Sequence, residues 1–73
     1  MEAGIIKNWN QAKGYGFVQM RQRGLPDAFL HISEIRNRET EDAPPQPGDL
    51  VFFDLAPADE GATSPKAVNV LIV

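Results

Sequence analysis

Lys13-Gly14-Tyr15-Gly16-Phe17-Val18-Gln19-Met20 and, one loop later, Asp27-Ala28-Phe29-Leu30-His31-Ile32 decide how this chain reads. Successive side chains of an extended strand point to opposite faces. Lys13, Tyr15, Phe17 and Gln19 are therefore expected on one face, with Gly14, Gly16, Val18 and Met20 on the other. Asp27, Phe29 and His31 repeat the pattern against Ala28, Leu30 and Ile32. Two such strands side by side make a flat aromatic plate beside a cation and leave their aliphatic residues for a core. Aromatic faces exposed next to Lys or Arg are surfaces on which unpaired nucleobases stack.

Three further extended segments flank these two. Residues 3–10 carry Ile5 and Ile6, and simple alternation puts Lys7 and Trp9 on one face. Trp9 has two readings, a stacking residue on that face or a core residue, because tryptophan is usually well buried. Pro47-Gly48-Asp49 is a turn signal that opens a strand over residues 50–55, in which Val51, Phe53 and Leu55 are expected in the core. Residues 66–73 form the last β-rich stretch, and Ser33 is positioned to start one helical turn through Arg36. The prediction is an all-β, five-stranded antiparallel barrel, since closure removes exposed strand edges. The OB-fold is the five-stranded barrel of this kind that binds oligonucleotides.

The 73 residues suffice for one small domain, 1–73, of limited core. There is no cysteine, which excludes disulfides and thiolate metal sites and suits a cytoplasmic location. No apolar run is long enough to span a bilayer, so no membrane contact is expected. The net charge of −3 hides an asymmetry. Residues 1–38 carry Lys7, Lys13, Arg21, Arg23, Arg36 and Arg38 against Glu2, Asp27 and Glu34, a balance of +3, while residues 39–73 stand at −6. The aromatic motifs lie in the basic half, and local potential governs where a polyanion can rest. His31 is the only histidine, with no second metal ligand beside it and no triad around it. No catalytic residue, cofactor or metal is assigned, and the chain reads as a non-enzyme.

Gly4-Ile5-Ile6-Lys7, Lys13-Gly14-Tyr15-Gly16-Phe17-Val18, Asp27-Ala28-Phe29-Leu30-His31-Ile32-Ser33 and Pro47-Gly48-Asp49-Leu50-Val51-Phe52-Phe53 share the order and approximate spacing of one family. The chain resembles the cold-shock domain family, as a divergent bacterial-type member, over nearly its whole length. The resemblance implies a five-stranded barrel that binds single-stranded RNA or DNA with little sequence selectivity and acts as an RNA chaperone or regulator of gene expression. Carried over by position, it implies stacking by Trp9, Tyr15, Phe17, Phe29 and His31 and phosphate or base-edge contacts from Lys7 and Lys13. Asn8, Arg21, Arg23, Ile32 and Lys66 are additional candidates. Two positions depart from the pattern: Asn8 stands where relatives usually place a tryptophan, and Ile32 replaces a stacking phenylalanine. Thr63 lies near a frequent lysine, for which Lys66 partly substitutes, and Arg21 and Arg23 occupy a loop where acids are common. Weaker binding than in a full-platform relative is expected.

The apolar end Val70-Leu71-Ile72-Val73 admits two readings, continuation into a longer protein or strand pairing in a weak homodimer instead of a monomer. The rival function is accordingly a protein-interaction or oligomerisation module on the same barrel, with Phe52 or the terminal strand making the contact.

Overall fold

Each alternating stretch becomes a strand in the computed structural model, which describes residues 1–73: β1 Glu2–Asn10, β2 Tyr15–Met20, β3 Ala28–His31, β4 Leu50–Ala56 and β5 Lys66–Ile72. They close into a barrel in the order β1-β2-β3-β5-β4, the all-β, five-stranded closed barrel of the OB type. Every seam is antiparallel except β3–β5, which is parallel and pairs Phe29 with Lys66 and Leu30 with Ala67. One parallel seam is unavoidable. Strand directions cannot alternate all the way round a ring with an odd number of members.

The inward faces fill the barrel with Ile6, Val18, Met20, Ala28, Leu30, Val51, Phe53, Ala67, Val70 and Ile72, and no polar or charged residue is buried with them. Leu55, expected in this core, is instead 44% exposed. It stands one residue from the end of β4, beyond the last β1–β4 pair at Glu2 and Phe53, where only β5 flanks it.

β1 is long because it serves two partners. Its first half pairs with both β4 and β2, and its second half with β2 alone. Between Ile6 and Asn8 the register with β2 shifts by one residue, so that Ile6 opposes Val18 while Asn8 opposes Phe17 and Trp9 opposes Gly16. Lys7 is the extra residue of a β-bulge, which turns the strand and inverts the parity of the residues after it. Ile6 and Trp9, three apart, therefore both face inward, and Trp9 packs against the core. The expected common face of Lys7 and Trp9 is corrected by this bulge. The space for the turned strand comes from Gly16, where a Cβ would collide with the Asn8 carbonyl oxygen and lie 2.9 Å from the Trp9 ring.

The segment after β3 repairs the rest of the parallel seam. His31 caps a 3-10 turn over Ile32–Glu34, slightly earlier than the turn expected from Ser33. Ile35 then bridges to Val70, the Arg36 amide donates to the Val70 carbonyl (2.9 Å), and the Asn37 side chain pairs with both backbone groups of Ile72 at 2.8 and 3.0 Å. With β4 on its other side, β5 offers no open backbone edge at Val70 to Ile72. Strand addition to form a dimer there has nothing to pair with.

Replacing Gly16 by Ala is expected to destabilise the barrel by about 1–3 kcal/mol, because a backbone carbonyl and not a flexible side-chain tip blocks the added methyl. Urea unfolding followed by Trp9 fluorescence measures this. A loss no larger than that of Gln22→Ala, an exposed substitution in the β2–β3 loop, would show that the close approach is dispensable.

Candidate nucleic-acid interface

The outward faces of β2 and β3 carry two cross-strand pairs, Tyr15 opposite His31 and Phe17 opposite Phe29. The Phe29 ring lies 5.7 Å from that of Tyr15, tilted by 32°, and 5.8 Å from that of Phe17, edge-on at 71°. Both separations fall in the roughly 4.5–7 Å range of favourable aromatic pairs, so the rings hold one another in place. Tyr15, Phe17 and Phe29 are half-buried and His31 is exposed. Phe29 is the hub.

His31 is fixed from below. Its Nδ1 accepts the backbone N–H of Ser33 (3.2 Å) and lies 2.9 Å from Ser33 Oγ, which leaves Nε2 facing outward. In the neutral ring the proton then sits on Nε2, a donor beside a π-face.

The remaining candidates fall into two groups. Asn8, opposite Phe17, occupies the plate position on β1, and exposed Lys7 precedes it in the bulge. Lys66, opposite Phe29, occupies the matching position on β5. These three join the quartet. Trp9 does not, since its ring packs against the core and its Nε1 donates to Gln11 Oε1 (2.7 Å), while Gln11 Nε2 donates to the Thr40 carbonyl from the long loop. Lys13 was expected within β2 but lies in the β1–β2 turn, where Asn10 Oδ1 accepts its amide and Gly14 takes φ 72°. It is exposed and stands before the start of β2, outside the pleat that aligns Tyr15 and Phe17. Ile32 packs beside Gly14 instead of on the plate. Arg21 and Arg23 are exposed in the β2–β3 loop.

Charge near the plate is nearly balanced, unlike the basic half-chain expected from sequence. Lys7 Nζ pairs with Asp27 at 3.0 Å, and Lys66 Nζ with Asp59 at 2.8 Å. Exposed ion pairs contribute at most about 1 kcal/mol each, so a phosphate can displace either carboxylate. Asp59 lies in the β4–β5 loop, within the acidic half of the chain. Folding brings its loop alongside Phe17 and Phe29, where residues 61–64 wall a hollow of about 420 Å³. The only signal for this was the identity of the β3 neighbour, which the strand pattern alone does not give.

The rival interaction surface is visible on the opposite side. Ala3, Phe52 and Leu71 form one cross-strand row, and Ile5 and Leu50 begin a second. This apolar patch is separate from the aromatic plate, and no helix of the chain is long and apolar enough to cross a membrane.

Comparison with known proteins points to one family over nearly the whole chain. The profile of the 'cold-shock' DNA-binding domain matches residues 2–73. Cold shock protein ScoF of Streptomyces coelicolor is 34% identical over 70 residues, covering 96% of each chain. Cold shock protein CspC of Bacillus subtilis is 36% identical over 70 residues with the same coverage, and cold shock protein CspA of Staphylococcus aureus (strain USA300) is 32% identical over 71 residues, 97% of each. The family match over residues 2–73 and full-length similarity above 30% identity lead to one statement: the chain belongs to the cold-shock DNA-binding domain family.

Proposed function

We propose that this domain binds single-stranded RNA or DNA by stacking successive bases on Tyr15, Phe17, Phe29 and His31, and acts as a cytoplasmic RNA chaperone or regulator of gene expression. The observation that carries the reading is the cross-strand quartet of aromatic rings centred on Phe29, presented outward on a rigid sheet. Bases have π-faces whatever their identity, so such a plate tolerates sequence. A strand laid across it has its bases turned away from a complementary strand. That competition loosens weak RNA structure without a nucleotide cofactor or any catalytic step. The module binds and does not react.

Lys7, Lys13 and Lys66 are the cations within the site's reach, with Arg21 and Arg23 beyond one end. Lys7 and Lys66 are each neutralised by a carboxylate, so each draws a phosphate only weakly while its ion pair holds. The electrostatic share of binding is therefore small, and stacking dominates. Asn8 on the plate, Trp9 turned inward and Ile32 off the plate leave four rings for stacking.

Three measurements test this reading, using anisotropy of a labelled hexathymidine. Phe29→Ala is expected to weaken binding by about 5- to 100-fold, the value of a stacking residue, while Phe52→Ala on the opposite face leaves it within about twofold. Equal effects of the two would refute the plate. Asn8→Trp adds a ring opposite Phe17 and is expected to tighten binding by about fivefold or more; no gain would mean that strands do not cross β1. The slope of log affinity against log salt should be no steeper than about −2, from at most three phosphates at about −0.7 each. A slope near −7 would signal an electrostatic binder instead.

A further inference from the structure

Two hollows meet at Phe29. One, of about 420 Å³, runs from Phe17 to the wall made by residues 61–64; the other, of about 300 Å³, runs past His31 and Ser33. Both are also lined by Asp59 and Lys66, so this ion pair forms the ridge between them. Lys66 lies on the strand next to Phe29, in register with it and on the same face. A base stacked on Phe29 and extending toward β5 presents its edge to the Asp59–Lys66 pair. We propose that this pair reads the base on Phe29 and favours guanine there, a specificity that rests on the stacking function proposed above.

The preference arises from the donors and acceptors that the two groups offer side by side. Asp59 Oδ1 accepts from Lys66 Nζ at 2.8 Å, which orients an ammonium with spare donors next to a carboxylate with spare acceptor sites. The pair is neutral, so a phosphate gains little from it unless the ion pair separates. A base edge bearing an acceptor beside donors fits it as it stands. Guanine's Watson–Crick edge has the O6 acceptor adjacent to the N1–H and N2–H donors. Its two donors meet the carboxylate in parallel while O6 takes the ammonium. Thymine, uracil, cytosine and adenine each present a single donor group on that edge, and none can make the paired contact. Recognition by paired hydrogen bonds discriminates strongly in enclosed sites. Here the Asp59 side chain is 72% exposed, which sets the expected preference at the low end.

The test is a set of labelled hexathymidines with one guanine moved through each position, measured by anisotropy at fixed salt. One position is expected to bind about fivefold tighter than hexathymidine itself, and inosine, lacking the 2-amino group, should lose most of that gain. Asp59→Asn should abolish the gain. By freeing Lys66 for phosphate, it should leave hexathymidine binding at least as tight as before. A preference that survives Asp59→Asn, or tight binding blind to guanine at every position, overturns the assignment while leaving the stacking plate intact. No binding to any hexamer would overturn the plate and the assignment together.

Discussion

Closure of five strands into a ring forces one parallel seam, and most of what is distinctive about this molecule lies along it. The seam falls between β3 and β5, where only two residue pairs are made before the strands part. It places Lys66 beside Phe29 and brings the loop carrying Asp59 against the aromatic plate. It also leaves β5 short of partners toward its end. Ile35, the Arg36 amide and the Asn37 side chain supply them. The 3-10 turn capped by His31 delivers those residues, so one histidine both shapes the closure and stands on the plate.

A second constraint sits on the other side of the plate. The bulge at Lys7 bends β1 so that it can pair with β4 at one end and β2 along its length. Gly16 admits the bent backbone, and Trp9 is turned into the core as a result. The plate consequently presents Asn8, not an indole, opposite Phe17. Packing and ligand surface are exchanged here by a single residue of register. The tryptophan secures the barrel end through Gln11 and Thr40 instead of offering a face to a base.

The strands and the plate were legible in the sequence because alternation is a local property. Tyr15, Phe17, Phe29 and His31 lie in unbroken stretches, and their shared face follows from period two alone. Trp9 was misplaced because a bulge is a property of the pair, not of the strand. The three-residue interval between Ile6 and Trp9 was its only trace. Lys13 was drawn into β2 although Asn10 and Gly14, a side-chain acceptor and a glycine at positive φ, already spelled a turn. Asp59 lies thirty residues beyond Phe29, and no periodicity connects the two. Their proximity exists only once the ring is closed, and the half-chain charge imbalance loses its meaning at the same moment.

The two-pair length of the β3–β5 seam makes it the thinnest join in the ring, and Phe29 is one of the residues that forms it. A nucleic-acid strand held by Phe29 on one side and by Lys66 on the other would lie across that join like a suture. By linkage, a ligand that binds only the closed barrel stabilises it in proportion to the logarithm of its concentration over its dissociation constant. Opening of the seam would then be suppressed in the bound state, and slow exchange of the Phe29 amide, which donates to the Pro65 carbonyl, would report occupancy. For a domain with so small a core, the cargo becomes a structural component.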